Sequence, residues 1–214
     1  MIDIRRFVCN MLQENCYVVS DETKDCVIID CGAFYKEERK AIVGCIIDNN
    51  LNPKHLLVTH GHLDHNFGNN TILDKFGLYA EVSENDKGLM DSLEGQAERF
   101  YRMKLDYKLP KVGVLLYGGD VICFGNHKLE VIETPGHSRG SVTFYCQAEN
   151  VAFTGDTLFK GSIGRTDLPS GNRMQIIQSL RTLAQLPDKT VVLPGHGDST
   201  TIGEELQFNP FMER

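Results

Sequence analysis

The 214-residue sequence lacks tryptophan, long hydrophobic runs and an excess of positive charge. Its longest apolar runs, such as residues 112–117, are far shorter than the roughly 20 residues that a membrane-spanning helix needs. The net charge is −7, from 22 Lys and Arg against 29 Asp and Glu. An acidic chain of this kind does not favour a phosphate backbone. We therefore expect neither a membrane nor a nucleic acid as a partner.

Disulfide and targeting signals are also missing from the sequence. The seven cysteines form no Cys-x-x-Cys pair, and their odd number does not suit a disulfide framework. The first residues, MIDIRR, are charged and contain no apolar stretch of the kind found in signal peptides. With 41% hydrophobic residues the chain can bury a sizeable core. These features predict a globular, cytoplasmic protein with reduced thiols.

Short β-type runs dominate the chain, with a few segments of helical periodicity between them. Helices are predicted over residues 36–49, 66–76 and 174–185, and residues 84–106 form a polar, amphipathic, helix-prone stretch. Strands are predicted over residues 2–9, 15–20, 26–30, 55–58, 78–82, 112–117, 121–124, 127–134, 141–146, 151–154 and 190–193. This order predicts an α/β protein in which two packed sheets are covered by helices.

Histidine and aspartate side chains follow several of these strands directly. Strand 55–58 leads into THGHLDH, residues 59–65, and glycine-containing turns after three later strands carry the other members of the set. Glycine allows the sharp turn that each strand end needs. Brought to one edge of a sandwich of two sheets, these side chains would suffice for two metal ions if one carboxylate bridges them. The set consists of His60, His62, Asp64, His65, His137, Asp156 and His196, whereas His55 and His127 lie within predicted strands and are interpreted as structural.

Residues 59–65 resemble the His-x-His-x-Asp-His motif of the metallo-β-lactamase superfamily. TPGHSRGS (134–141), FTGDTLF (153–159) and LPGHG (193–197) resemble its remaining motifs in the right order. The resemblance implies a four-layer αββα sandwich, formed by residues 1–214 as a single domain. It also implies that His60, His62 and His137 hold one metal ion, that Asp64, His65 and His196 hold a second, and that Asp156 bridges them. Because His65 follows the motif aspartate, the chain looks closer to the glyoxalase II and persulfide dioxygenase branches than to the β-lactamases.

The predicted ligand types indicate the chemistry. Imidazoles and carboxylates suit two divalent ions, with zinc expected first and iron or manganese as alternatives. Zinc lowers the pKa of a bound water to about 7, which makes hydroxide available to attack an acyl carbon. Asp64 would orient that water or receive its proton, which is a catalytic role. A non-catalytic metal site is the alternative, but structural zinc is usually four-coordinate and rich in cysteine. We therefore expect a metal-dependent hydrolase.

The substrate is indicated by the loop over residues 161–168. The resemblance to glyoxalase II implies that Arg165 holds a glutathione carboxylate, and the alternative is a salt bridge between Arg165 and Asp167. The Gly-Arg-Thr-Asp run looks more like persulfide dioxygenases, whose single iron would need only His60, His137 and Asp156. The first hypothesis is hydrolysis of a small acyl thioester, glutathione-based or similar. The second is a non-haem iron persulfide dioxygenase, and lactone or ester hydrolysis comes third.

Supporting residues and the pocket wall are the last expectations. Asp30, in an Asp-Cys-Gly turn, is expected to support the metal loop, and Thr59 and Ser141 to hydrogen-bond ligands. The 18 residues after His196 are too few for the helical C-terminal domain of glyoxalase II. The amphipathic stretch 84–109 is therefore predicted to form a wall of the pocket. The oligomeric state stays open.

Overall fold

A computed structural model describes residues 1–213 and places their strands in two six-stranded sheets and a separate two-stranded hairpin. The first sheet is antiparallel through its first three strands and parallel thereafter. Helices form the crossovers that parallel strands require. The elements of this half are β1 (Asp3–Cys9), β2 (Glu14–Ser20), β3 (Asp25–Ile29), α1 (Lys36–Asp48), β4 (Asn52–Val58), α2 (Asn69–Phe76), β5 (Ala80–Ser83), α3 (Lys87–Met90), α4 (Leu93–Tyr101) and β6 (Val114–Leu116).

The second sheet is built by the rest of the chain. Its elements are β7 (Val121–Phe124), β8 (His127–Glu133), β9 (Val142–Cys146), β10 (Val151–Gly155), the hairpin β11 (Leu158–Phe159) and β12 (Ser162–Ile163), α5 (Arg173–Leu183), β13 (Val191–Pro194), β14 (Thr200–Thr201) and α6 (Ile202–Phe208). The strand order is β14-β13-β10-β9-β8-β7. Strands β10 and β13 are parallel neighbours, so their carboxyl ends meet at the same edge of the sheet.

Alternation along the strands explains the layers. Tyr17 and Val19 of β2 belong to the core between the sheets, whereas Cys16 and Val18 belong to the core under the helices of the first half. Phe144 and Phe153 enter the inter-sheet core from the second sheet, and burial of each such side chain stabilises the fold by roughly 1.5–3 kcal/mol. A third core lies under α5 and α6. The predicted αββα sandwich is confirmed.

Several element bounds differ from the predictions. The stretch 84–106 is not one helix but a 3-10 turn (Glu84–Asp86) followed by α3 and α4, and the next strand begins at Val114. Asp86, the last residue of the 3-10 turn, is buried, and α3 and α4 are separated at residues 91–92. Residues 202–208, for which no element is predicted, form α6. Thr201 caps this helix by accepting a hydrogen bond from the backbone N–H of Glu204.

The described residues also bear on the thiols and on membranes. All seven cysteines are free, and most of them are buried. No helix within residues 1–213 combines the length and the apolar character needed to cross a bilayer.

Candidate metal centre

Strand ends deliver the site residues to one edge of the sandwich. Strand β4 runs into residues 59–65, β10 into Asp156, and β13 into His196. Gly155 ends β10 with a φ of +50°, and a Cβ there would lie 2.4 Å from the Thr59 hydroxyl. Glycine is therefore required where β10 passes close to the loop after β4. The turn brings Asp156 beside the histidines of that loop.

All seven predicted metal ligands lie together at this edge. His62 Nδ1 lies 2.9 Å from His137 Nε2. The two oxygens of Asp156 face different groups of the cluster, with Oδ1 3.4 Å from His65 Nε2 and Oδ2 3.5 Å from His137 Nε2. Asp64 Oδ2 is 3.3 Å from His196 Nε2. Asp156 thus lies between a group of three histidines and a second group formed by Asp64, His65 and His196.

Hydrogen bonds on the outer side fix the orientation of four imidazoles. The Nδ1 atoms of His65, His137 and His196 lie 3.0, 2.8 and 3.0 Å from Asp30 Oδ2, the Arg165 carbonyl and the Leu12 carbonyl. These partners only accept, so each imidazole carries its proton on Nδ1. His60 Nδ1 likewise lies 3.1 Å from Thr59 Oγ1. Because Nδ1 is engaged outside, the Nε2 atom of each of these imidazoles faces the cluster, where it can act as a metal ligand.

Buried atoms without partners show what this cluster lacks. His60 Nε2, His65 Nε2 and Asp156 Oδ1 are buried and have no hydrogen-bond partner within residues 1–213. Such atoms destabilise a fold unless something satisfies them. Their ligand atoms, with those of the other members, fall into groups within 4.8 Å that could hold a metal ion. These groups are His60–His62–His137, His60–His65–Asp156 and Asp64–His65–His196. The donor set therefore fits divalent cations.

The electrostatics agree with such a fit. Burial and the neighbouring imidazoles lower the pKa of His60 well below its usual range and that of His62 to about 4, so both offer neutral lone pairs. Burial also acts to lower the pKa of His65, but the charges of Asp156 and Asp30 outweigh it and raise this pKa well above the ordinary value. The carboxylates thus attract positive charge to the His65 end of the cluster.

The supporting residues proposed from sequence have different outcomes. Asp30 accepts from the Thr59 backbone N–H and hydroxyl, both at 2.7 Å, and holds His65 as described. Ser141 reaches no metal-ligand side chain, because its hydroxyl lies 2.8 Å from the Ser138 hydroxyl and accepts from the Ser138 backbone. The prediction that Ser141 hydrogen-bonds a metal ligand is therefore wrong. Ser141 instead stabilises the loop that carries His137 through its bonds to Ser138.

Sequence reasoning missed Asp86, which joins two loops of the site. Its Oδ2 accepts from the Gly61 N–H at 2.8 Å and from the Ser138 hydroxyl at 2.6 Å, and its Oδ1 accepts from the Gly140 N–H at 2.7 Å. These donors flank His62 and His137. In the sequence Asp86 stands in a polar, helix-prone stretch, where an aspartate looks like an exposed residue, and no local signal distinguishes it.

Gln96 on α4 makes a second unpredicted connection. Its Oε1 accepts from the Leu63 N–H at 3.0 Å, and its Nε2 donates to the Gly61 carbonyl at 2.9 Å. Both partners belong to the loop after β4 that carries His62. Helix α4 therefore holds the backbone of this loop in place through Gln96.

A cleft of about 930 Å³ opens above the cluster. Its floor includes His62, Asp64, His137, Asp156 and His196, and its walls are mostly apolar. The apolar and aromatic side chains of the walls are Leu12, Phe100, Tyr101, Phe159, Ile163 and Leu168, and the polar ones are Gln96, Ser162 and Arg165. Helix α4, from the stretch predicted to form a wall, supplies Phe100 and Tyr101. Burial, the charge of Asp64 and a hydrogen bond to it raise the pKa of Tyr101, so its hydroxyl stays protonated beside the floor.

Arg165 lines the cleft but is already paired. Its Nε and one terminal nitrogen each donate to an Asp167 oxygen at 2.7 Å, and the two side chains are 61% and 67% exposed. The structure therefore contains the salt bridge weighed as an alternative. His55 and His127 lie away from the cluster, with His55 bonded to Glu81 and His127 between two acids.

The sandwich and its His/Asp cluster define a class of proteins that bind metal ions at the edge of two packed sheets. The sequence pattern of the metallo-beta-lactamase superfamily matches residues 9–196. The chain belongs to the metallo-beta-lactamase superfamily and is a metal-binding hydrolase of that type.

Individual relatives span nearly the whole chain. The hydroxyacylglutathione hydrolase GloC of Haemophilus influenzae is 40% identical over 202 residues, which cover 94% of this chain and 93% of that protein. Among solved structures, the B3 metallo-beta-lactamase BLEG-1 is 32% identical with a TM-score of 0.88 over 99% of both chains. TTHA1623, solved in a di-iron-bound form, is 33% identical with a TM-score of 0.83 over 97% of this chain and 100% of that one.

Proposed function

We propose that this protein hydrolyses small acyl thioesters, with glutathione thioesters as the first candidates. The observation that carries the proposal is the position of the seven-residue His/Asp cluster at the floor of an apolar-walled cleft. The cleft offers a polar reacting end and room for an acyl thioester of moderate size. The 40% identity to a protein described as a hydroxyacylglutathione hydrolase supports the same substrate class.

Two divalent ions would be held by the cluster. His60, His62 and His137 would bind one, Asp64, His65 and His196 the other, and Asp156 would be shared. When bound, such ions polarise a substrate carbonyl and make water acidic enough to be deprotonated near neutral pH. The unpartnered Nε2 and carboxylate atoms described above support this assignment, because a cation satisfies them where the chain does not.

The chain's own residues perform the remaining tasks. Asp64 faces the cleft, where it would orient the attacking water and accept its proton. Attack forms a carbon–oxygen bond at the acyl carbon, after which the carbon–sulfur bond breaks and its electron pair leaves on sulfur as a thiolate. The thiolate then takes the proton that Asp64 accepted from water, which restores the carboxylate. The Tyr101 hydroxyl lies beside Asp64 at the floor of the cleft, where it is a hydrogen-bond donor. Phe100 and Phe159 would exclude bulk water from the reacting centre.

Arg165 is the proposed anchor for an anionic substrate. Its ion pair with Asp167 is exposed to solvent, and such pairs contribute little free energy. A substrate carboxylate could therefore replace Asp167 at small cost and keep the bidentate geometry. In this proposal Asp167 occupies the guanidinium until a substrate carboxylate displaces it.

The test uses protein stripped of metal and reloaded separately with zinc, iron(II) and manganese(II). The zinc form should cleave S-lactoylglutathione under strict anaerobiosis, and Asp156→Ala should abolish this activity. A β-lactam and a lactone are assayed as alternative substrates. The β-lactam is included because BLEG-1 is described as a metallo-beta-lactamase. Oxygen uptake with glutathione persulfide by the iron form alone, without thioester cleavage by any form, would replace the hydrolase proposal with the dioxygenase. Zinc cannot support that reaction because it has no redox chemistry.

A further inference from the structure

Glu14, the first residue of β2, is a carboxylate that the fold buries without satisfying. It is 0% exposed, and neither side-chain oxygen has a hydrogen-bond partner in the described part of the chain. Burying a carboxyl group without a hydrogen-bond partner costs free energy. Glu205, also buried, shows the usual solution: its oxygens accept from the Gly161 N–H, the Thr200 hydroxyl and the Asn209 amide.

The surroundings of Glu14 place it directly behind the metal cluster. Its Oε1 lies 3.8 Å from His65 Nδ1, on the outer side of that imidazole. The backbone of Glu14 pairs with that of His196, and the next residue, Asn15, donates its N–H to the Gly195 carbonyl at 2.7 Å. Glu14 is therefore tied to two residues of the same group, His65 by side chain and His196 by backbone.

The chain keeps space for this side chain. A Cβ on Gly32 would lie 2.1 Å from Glu14 Oε2, which is impossibly close, and 2.1 Å from the Asp64 carbonyl. Glycine at position 32 thus allows both the loop carrying Asp64 and the Glu14 carboxylate to approach. Glu14, Asp30 and His65 also place ligand-type atoms within 4.8 Å of one another. The burial of Glu14 is a consequence of specific packing around the site.

The buried position of Glu14 matters for the charge balance of the metal cluster. Glu14, Asp30, Asp64 and Asp156 are four buried carboxylates in or directly behind the cluster. Two divalent ions would bring four positive charges, which these four groups, when ionised, would balance in a region where water cannot. We propose that Glu14 is a positioning residue for the metal ion on the His65 side, contributing charge through His65 and not as a ligand. This inference rests on the proposed two-ion site and not on the identity of the substrate.

The test is Glu14→Gln, which keeps the shape of the side chain and removes its charge. We expect one of the two ions to bind 10- to 100-fold more weakly, the range seen when groups behind metal ligands are changed, while the other is unaffected. Metal-free protein should keep a Tm at or above that of wild type, because the Glu14 carboxyl group has no hydrogen-bond partner to lose. Binding is measured by competition with a chromophoric chelator, and Tm by calorimetry after chelation.

Glu205→Gln is the matched control, because it removes a buried charge that is fully hydrogen-bonded and lies outside the cluster. It should lower the metal-free Tm and leave metal affinity unchanged. Glu14→Met provides a second neutral side chain of similar length and should weaken binding as Glu14→Gln does. Three outcomes would overturn the inference: unchanged affinity for both ions, a metal-free Tm that falls in both Glu14 variants, or a third bound ion in wild type that is lost in them. Wild-type protein that binds two ions but cleaves no thioester would defeat only the substrate proposal.

Discussion

Asp86→Asn tests how strongly the metal loops depend on one buried carboxylate. Asp86 is fully buried and accepts three hydrogen bonds, two at Oδ2 and one at Oδ1. An asparagine has the same shape, but one of its two terminal atoms is a donor. Whichever way the amide turns, its NH₂ group faces at least one N–H group of the loops. The least costly orientation directs it toward the Gly140 N–H, which keeps the bonds to Gly61 and Ser138.

The magnitude follows from those contacts. Hydrogen bonds to a charged group contribute about 1.5–3 kcal/mol each, and a buried N–H left unsatisfied adds about 1–3 kcal/mol. Losing the Gly140 bond and weakening the other two should therefore lower the free energy of unfolding by at least about 3 kcal/mol. For a chain of this length each kcal/mol shifts Tm by roughly 2–4 °C. The expected fall in Tm is about 6–12 °C.

The assay is a calorimetric melt of metal-free wild type and variant, followed by metal titration of both. Asp91→Asn is the control, since Asp91 pairs with Lys87 on the surface and its change should shift Tm by less than about 2 °C. We also expect Asp86→Asn to bind the ion of the three-histidine group more weakly, because Gly61 and Ser138 flank His62 and His137. A Tm of the Asp86→Asn variant within about 2 °C of the wild-type Tm would refute the view that Asp86 holds together the loops that carry His62 and His137.

Four further predictions concern the cluster, the cleft and pH. Asp64→Asn should keep the fold and lower kcat at least about 100-fold, and an unchanged kcat in steady-state assays would contradict its role. Arg165→Ala should raise KM for an anionic thioester far more than it lowers kcat. Asp167→Asn should lower KM, because it frees the Arg165 guanidinium for the substrate. Equal losses of kcat and kcat/KM in Arg165→Ala would count against the anchor. Burial lowers the pKa of His127, but hydrogen bonds to Asp21 and Glu149 outweigh it and raise this pKa. The resulting stabilisation is complete below the unfolded pKa of about 6.5 and is lost as pH rises through the folded value, so the Tm deficit of His127→Gln should be larger at pH 6 than at pH 9. Chelation should lower Tm of the metal-loaded protein by about 5–10 °C for each bound ion if free metal stood at 100 times Kd, and a Tm indifferent to chelator would argue against bound metal.

Local patterns along the sequence were sufficient to predict the layers and the composition of the cluster. Alternation of apolar residues in strands such as β2 marks both buried faces, because successive side chains point to opposite sides of a sheet. Glycine-containing turns after strands mark the points where His60, Asp156 and His196 leave the sheets. Carboxyl ends of adjacent parallel strands share an edge, which explains why Asp156 and His196 meet. His60 joins them from the other sheet, and its place in the cluster was implied by the resemblance to the superfamily motifs.

Only the tertiary structure decided the contacts between distant segments. Asp86 meets Gly140, and Glu14 meets His65, although the members of each pair are far apart in the sequence. Nothing near either acid in the sequence indicates that it is buried. The helix-prone stretch 84–106 is also divided into a 3-10 turn and two helices, with Asp86 buried at the end of the turn. Arg165 shows the converse limit: its motif suggests a substrate anchor, whereas the folded chain pairs it with Asp167. A side chain's neighbours in the sequence fix its local conformation, but its charge partners and its burial depend on which segments pack against it.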